Sequence, residues 1–194
     1  MNFEKHYRYT GKQKLGLTKL ATAVDPEFED EKVIKAQIAK NIKQLTELQG
    51  KLYAQDRFGV LVIFQAMDAA GKDSMIRHIM NGVNPQGCEV TSFKQPTTKE
   101  IAHDYLWRIH DRVPKRGMIG IFNRSYYEDV LVSRVHPEII VNEHVGEIND
   151  KKQVDDAFFE RRFNDLRYFE DYLQHNGYLV LKFFLHMSKA EQKQ

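Results

Sequence analysis

Residues 59–78 read Gly-Val-Leu-Val-Ile-Phe-Gln-Ala-Met-Asp-Ala-Ala-Gly-Lys-Asp-Ser-Met-Ile-Arg-His, and this stretch decides the fold. The apolar run 60–64 predicts a strand buried on both faces, as in a parallel sheet. A turn of small residues, 68–71, follows, and Lys72 then opens a segment with a helical pattern. This order is typical of a phosphate-binding loop, in which backbone N–H groups and a helix N-terminus surround an anion and a lysine adds positive charge.

The match to the phosphate-loop consensus is imperfect. The consensus has Gly, four residues, then Gly-Lys-Ser/Thr. Here Ala66 stands at the first glycine, Asp73 stands at the metal-binding hydroxyl, and Ser74 comes one residue late. The stretch therefore also fits a tight strand-to-helix connection that binds nothing, and the rest of the chain has to decide.

Composition excludes several function classes. A chain of 194 residues, 42% hydrophobic and 29% charged, predicts one ordinary soluble domain. Its net charge of +2 gives no bulk reason to bind nucleic acid or an acidic membrane, so any anion site must be local. The single cysteine, Cys88, fits a reducing compartment, and neither a signal-peptide core nor a membrane-spanning apolar stretch is visible. We expect a cytoplasmic protein.

The spacing of apolar residues predicts the elements. Residues 1–27 are predicted to be a solvated N-terminal arm, and 28–194 the core domain. The core is predicted to hold strands at 60–64, 88–93, 118–122 and 178–185, helices at 28–52, 72–81, 97–112, 130–135 and 158–173, and a mobile connection over 138–156. Strands that alternate with helices indicate an α/β domain with a mainly parallel sheet and helices on both faces.

The last residues signal one more helix. Ser188 and Glu191 have the spacing of a capping box directly after the fourth strand, and the sequence stops at Gln194. We expect a chain that is cut short, and a frayed tail that matches by chance is the alternative.

Polar clusters follow three of the predicted strands, at 68–74, 94–98 and 123–129. Ligands of parallel α/β sheets lie outside the carboxyl ends of the strands, so these clusters are predicted to converge on one crevice. In the first cluster, Asp68 is a candidate Mg²⁺ ligand, with helix capping as the alternative role. Lys72 is predicted to contact the transferred phosphoryl group. The remaining loop positions are predicted to bind phosphate or nucleotide: Ala69, Ala70, Gly71, Asp73 and Ser74.

The third cluster supplies further candidates. Arg124 suits phosphate oxygens, and Glu128 suits a metal or the acceptor, although an ordinary i,i+4 ion pair between them is the simpler alternative. Asn123 can ligate a cation but cannot take a proton, which favours a phosphate acceptor over a hydroxyl acceptor, unless Glu128 supplies a base. Lys94 and Arg134 are additional candidates for anion contacts.

Four motifs occur in this order along the chain: Phe-Gln-Ala-Met-Asp-Ala-Ala-Gly-Lys-Asp at 64–73, Ser-Phe-Lys-Gln-Pro-Thr at 92–97, Tyr-Leu-Trp-Arg-Ile-His at 105–110 and Gly-Ile-Phe-Asn-Arg-Ser-Tyr-Tyr-Glu-Asp at 120–129. Together with the stretch Leu-Lys-Phe-Phe-Leu-His-Met-Ser at 181–188, they resemble the polyphosphate kinase 2 family. The resemblance implies a P-loop kinase akin to thymidylate kinase, which moves a phosphoryl group between inorganic polyphosphate and AMP, ADP or ATP with Mg²⁺.

The resemblance also implies roles for single residues. Asp68 and Lys72 match the Walker A aspartate and lysine of the family, and Arg124 matches its Walker B arginine. Asn123 and Glu128 are similar to a subgroup that accepts both AMP and ADP, and with Asp68 they are the expected Mg²⁺ ligands. The resemblance further implies that family members continue beyond this length into a basic lid helix, which we expect this chain to lack.

Two rival functions stay open. One is an ATP-dependent nucleoside monophosphate kinase on the same fold, and the other is a truncated core that binds nucleotide or polyphosphate without turnover. We also expect a homo-oligomer, of a size that the sequence does not reveal.

Overall fold

The computed structural model describes residues 6–12, 14–23, 30–67, 70–188 and 190. Its helices and strands run in the order α1 (Glu31–Gln55), β1 (Gly59–Ala66), α2 (Lys72–Met80), β2 (Cys88–Ser92), α3 (Thr98–Ile101), α4 (Trp107–His110), β3 (Ile119–Asn123), α5 (Glu128–Val135), α6 (Glu138–Asn142), α7 (Asp156–His175) and β4 (Tyr178–Leu185).

The four strands form one parallel sheet in the order β2-β3-β1-β4. In register, Asn123 at the end of β3 lies beside Phe64 of β1 on one side and Ser92 of β2 on the other. The carboxyl ends of three strands are therefore level with one another, as a convergent crevice requires. The predicted parallel α/β sheet is confirmed.

Each face of the sheet is covered by its own hydrophobic cluster. On one face, Leu61 and Ile63 pack with buried residues of α4, α5, α6 and α7. On the other face, Phe64 and Ile121 pack with α2 and with half-buried leucines of α1. Successive residues of a strand point to opposite faces, so the continuous apolar run in β1 serves both clusters. The prediction of helices on both faces is confirmed.

The helix predicted over 97–112 is wrong in its middle. The predicted capping box of Thr97 and Glu100 is present and begins α3, but the helix ends at Ile101. Asp104 then accepts a hydrogen bond from the backbone N–H of Leu106 at 3.0 Å, and its carbonyl accepts from that of Trp107. Short acidic side chains compete with the helix ladder in this way, and α4 starts afresh after the interruption.

The mobile connection predicted over 138–156 is partly wrong. The chain forms α6 directly after Pro137, and Ile140 within it is fully buried in the core. A 3-10 turn at Lys151–Gln153 follows, fixed by a capping box between Asp150 and Gln153. Burial of Ile140 stabilises this short helix through tertiary packing, and the polar, mixed sequence around it gives no sign of that packing.

The spacing of Ile34, Ile38, Ile42, Leu45, Leu48 and Leu52 predicts the apolar face of the first helix, and this face is confirmed except at Leu48. Leu48 is 61% exposed, and Gln49 is buried instead. Residue 49 lies seven positions after Ile42 and four after Leu45, so it points between them, whereas residue 48 points to the other side of Leu45.

The two ends of the chain contribute little to the described fold. Residues 6–12 and 14–23 are exposed, with a 3-10 turn at Leu17–Lys19. Residues 24–29 and the predicted capping partner Glu191 lie outside the described residues. None of the helices in the described ranges is long and apolar enough to cross a membrane.

Strand β4 forms one edge of the sheet and exposes large apolar side chains. Leu179, Leu181 and Phe183 are 56%, 38% and 48% exposed. Their register partners on β1 are Val60, Val62 and Phe64, so they extend the apolar face that carries α1 and α2. This half of the sheet face is uncovered among the described residues.

Candidate active site

The described residues of the loop after β1 lead directly into the N-terminus of α2. Gly71 has φ 73° and leads into α2, whose first residue is Lys72. The Lys72 ammonium folds back over the loop and donates to the carbonyl of Ala66 at 3.2 Å. It also lies 3.5 Å from the carbonyl of Met67. A lysine held over a helix N-terminus in this way presents its charge where an anion would bind.

The other predicted loop residues differ in what the structure shows. Ala70 is buried, whereas Gly71, Asp73 and Ser74 are exposed at the start of α2. Asp68 and Ala69 lie outside the described residues, so their predicted roles remain predictions.

Asn123 connects the end of β3 to this loop. Its side-chain amide donates to the Asp73 carboxylate in the first turn of α2. Because Nδ2 is used in this bond, the amide oxygen Oδ1 is the atom left to face a cation. The structure therefore brings Asn123 and the phosphate-loop residues together.

Gln65, near the end of β1, is hydrogen-bonded to Glu128 and orients its side chain. Gln65 Nε2 donates to Glu128 Oε1 at 3.1 Å, while Gln65 Oε1 is buried and has no hydrogen-bond partner in the described structure. Sequence reasoning missed Gln65, although a polar residue at the carboxyl end of an apolar strand is a usable signal. Glu128 keeps its second oxygen for another partner.

Arg124 lies in the turn that joins β3 to α5. It is exposed, its φ is 64°, and its backbone N–H donates to the carbonyl of Phe64 at 3.2 Å. Since α5 begins only at Glu128, the two residues are not neighbours on one helix, and the i,i+4 helical alternative does not apply.

The two additional candidates for anion contacts, Lys94 and Arg134, have different surroundings. Lys94 is exposed after β2, and its carbonyl accepts from the Arg108 guanidinium at 2.8 Å. Arg134 sits in the last turn of α5, where it pairs with Asp156 and covers the Phe159 ring. The ion pair accounts for Arg134 without a ligand.

A buried charged cluster lies beside the site, and sequence reasoning missed it. Asp129, Glu143, Arg108 and Tyr105 line a small cavity between the second and third polar clusters. Arg162 pairs with Glu143 at 2.9 Å and stacks on the Tyr105 ring at 3.7 Å. Three buried atoms there have no hydrogen-bond partner in the described structure: Tyr105 Oη, Asp129 Oδ2 and Arg162 Nη1.

This burial changes the acidity of Asp129. Desolvation, with a smaller contribution from the Glu143 carboxylate, raises its pKa to about 7, although the guanidinium groups of Arg108 and Arg162 oppose the shift. Asp129 follows Glu128 directly but faces the interior, so the two adjacent carboxylates have different environments.

The described donors suit a metal that shares its coordination with a substrate. Among the residues that the structure covers, no three His, Cys, Asp or Glu side chains come together as a metal site. Mg²⁺ does not require such a set, because it commonly uses one or two carboxylates with phosphate oxygens and waters. Asn123, the last residue of β3, and Glu128, the first residue of α5, fit that pattern.

A parallel sheet whose first strand leads through a short loop into the helix that begins at Lys72, with Asn123 ending β3, has the architecture of a P-loop kinase fold. The family model described as polyphosphate kinase 2 matches residues 28–194. The chain therefore belongs to the polyphosphate kinase 2 family.

Individual relatives agree with this assignment. The chain is 47% identical over 191 residues to an ADP-polyphosphate phosphotransferase of Rhodopseudomonas palustris. It is also 47% identical over 152 residues to an AMP/ADP-polyphosphate phosphotransferase of Meiothermus ruber. The crystal structure of polyphosphate kinase 2 from Arthrobacter aurescens superposes with a TM-score of 0.82 at 36% identity.

The relatives are longer than this chain. The matches cover 97% of the chain but 64% of the Rhodopseudomonas protein, and 78% of the chain but 51% of the Meiothermus protein. The match to the Arthrobacter structure covers 97% of this chain and 62% of that one.

Proposed function

We propose that this chain transfers a phosphoryl group between inorganic polyphosphate and AMP or ADP, with Mg²⁺. The observation that carries the proposal is the junction of the phosphate loop with the end of β3, where Asn123 meets Asp73 beside Lys72. The names of the two relatives, both polyphosphate phosphotransferases, support the donor and acceptor classes.

The transfer needs charge neutralisation more than proton transfer. A phosphate oxygen of the acceptor attacks the terminal phosphorus of polyphosphate, and the bond from that phosphorus to the bridging oxygen breaks. The nucleotide gains one phosphate and the polyphosphate loses one. Lys72 and Arg124 neutralise charge on the migrating group, as phosphoryl transfer requires.

A general base is unnecessary for this acceptor. A terminal phosphate has a second pKa near 6 and is mostly deprotonated at neutral pH. Glu128 is then available to position the metal rather than to remove a proton, and Gln65 fixes its orientation.

Asp68, Asn123 and Glu128 are the proposed holders of Mg²⁺. These residues would hold the ion, and it would supply positive charge that offsets the negative charge of the phosphates. The hydrogen bond from Asn123 to Asp73 and that from Gln65 to Glu128 set the two described side chains before any ligand arrives.

A donor and acceptor matrix tests the proposal. ATP or ADP formation is measured with polyphosphate or ATP as donor, AMP or ADP as acceptor, and Mg²⁺ or EDTA. We expect product with polyphosphate and Mg²⁺, and its loss in Asp68→Asn. Product only with ATP as donor would indicate the rival monophosphate kinase, whereas ligand binding without product would indicate a binding core.

The relatives' length gives the second rival its support, since a third or more of each lies outside the match. The same matrix run on this chain and on the Rhodopseudomonas enzyme separates a failed assay from an inactive core.

We further propose that the protein is a cytoplasmic homo-oligomer. The exposed apolar residues of β4 are the supporting observation for association. Sedimentation equilibrium measures the mass, and a monomer at every accessible concentration would contradict this assignment.

A further inference from the structure

Two adjacent tyrosines of the β3–α5 turn share one acceptor on another helix. Tyr126 and Tyr127 donate their hydroxyl hydrogens to Oε1 of Glu170, in α7, at 2.7 and 2.6 Å. The turn is far from α7 in sequence, so these hydrogen bonds are long-range tertiary contacts between the turn and α7. Burial raises the pKa of both hydroxyls, and the neighbouring Glu170 carboxylate raises it further, to about 12 for Tyr127. Both hydroxyls are therefore proton donors at neutral pH.

Lys182 of β4 completes the cluster. Its ammonium donates to Glu170 Oε2 at 2.6 Å and to the Tyr127 hydroxyl oxygen at 3.0 Å. Burial alone would lower the pKa of Lys182, but its bonds to Glu170 and Tyr127 raise it above the usual value. Lys182 therefore stays charged, and the Glu170 side chain, 16% exposed, has a compensating cation.

The turn held by these bonds carries the two side chains assigned to phosphate and metal. Arg124 precedes Ser125 and Tyr126, which are both fully buried, and Glu128 follows Tyr127. The left-handed backbone of Arg124 is unfavourable for a residue with a side chain, so neighbouring contacts must maintain it. The Tyr126 ring contributes by packing edge-on against Phe169, the residue before Glu170.

We propose that Glu170 is a positioning residue for Arg124 and Glu128. This inference rests on the proposed function of those two residues. A neutral acceptor would also satisfy both hydroxyls, but hydrogen bonds to a carboxylate are stronger and shorter, and only a carboxylate pairs with Lys182. The Glu170 carboxylate thus binds the turn to both α7 and β4. The turn then positions the Arg124 guanidinium and the Glu128 carboxylate beside the phosphate loop.

The decisive comparison is Glu170→Gln against Leu173→Ala. Leu173 lies one helical turn further along α7, is 2% exposed, and belongs to the core rather than to the turn. Glu170→Gln keeps the size and one acceptor oxygen but loses the ion pair. We expect Glu170→Gln to lower kcat at least tenfold with the KM for ADP within twofold. Leu173→Ala is expected to lower Tm more and to leave kcat unchanged.

A double-mutant cycle connects the effect to the tyrosines. Tyr127→Phe in the wild-type background is expected to lower kcat, and in the Glu170→Gln background to have little further effect, because the shared bond is already weakened. Equal kcat in Glu170→Gln and Leu173→Ala at matched folded fractions would overturn the proposal.

Amide hydrogen exchange gives a readout that does not need turnover. The backbone N–H groups of Arg124, Glu128 and Asp129 are bonded within or beside the turn. We expect their exchange to quicken selectively in Glu170→Gln and not in Leu173→Ala. Unchanged exchange there would refute positioning even if the wild-type chain turned out inactive, whereas inactivity alone would count only against the proposed function.

Discussion

The side-chain amide of Asn123 donates to the carboxylate of Asp73, so the end of β3 is tied to the first turn of α2. Asn123→Asp replaces this donor with a second carboxylate. We expect the variant to be less stable by about 1 kcal/mol in EDTA, because a hydrogen bond is lost and like charges meet. Added Mg²⁺ is expected to raise its Tm more than that of the wild type.

The reversed pair is the control for that prediction. Asp73→Asn combined with Asn123→Asp restores one amide and one carboxylate with their positions exchanged. We expect it to recover most of the lost stability in EDTA. No recovery would mean that the two side chains are not coupled.

Lys72→Met should remove activity without unfolding the protein. The ammonium bonds only to loop carbonyls in the described structure, so its loss costs little stability, whereas the migrating phosphoryl group loses its nearest cation. We expect kcat to fall roughly 10²- to 10³-fold. Lys115→Met, in the exposed turn before β3, is the matched control, and equal losses in both would count against the assignment.

Gly71→Ala tests the backbone of the phosphate loop. An added Cβ at Gly71 meets no atom of the described residues within 4 Å, so we assign the cost to the φ of 73°. We expect a loss of about 1 kcal/mol. Gly50→Ala, inside α1 and equally open, is expected to gain about 0.5–1 kcal/mol. Urea unfolding measures the change in the free energy of unfolding of each variant. Changes of the same sign in both variants would contradict the prediction.

Asp129 should make stability depend on pH. Its folded pKa of about 7 exceeds the ordinary value of 3.8. The folded protein therefore binds this proton more tightly than the unfolded chain. The stability from this group is complete below about pH 4 and is lost as pH rises through about 7. The loss is on the order of 4 kcal/mol.

Asp129→Asn removes that loss. In EDTA, we expect the stability of the variant relative to the wild type to increase from about pH 4 to about pH 7 and to level off above. Urea unfolding at three pH values measures it. Asp171→Asn, at an exposed position of α7, is the control and should not reproduce the trend.

Local patterns predicted the sheet and the loop because their causes are local. The apolar run in β1, the glycine before Lys72 and the capping box at Thr97 each act within a few residues. Parallel topology then places the loop after β1 and the Asn-Arg pair after β3 at one edge, without knowledge of distant contacts.

What the sequence did not reveal depends on pairs that are distant along the chain. Gln65 matters because Glu128 lies opposite, and Glu170 matters because two tyrosines reach it. The break at 102–106 has a local cause, because the Asp104 side chain competes with the helix for backbone hydrogen bonds. The helical spacing of the apolar residues there predicts a continuous helix.

Lys182 connects the edge of the described sheet to the turn beside the site. It stands on β4, the outer strand of the described sheet, and its ammonium is bonded to Tyr127 beside Glu128. The same ammonium donates to Glu170 of α7, so one charged side chain joins the edge strand, the long helix and the turn. The turn therefore depends on two elements that come later in the chain.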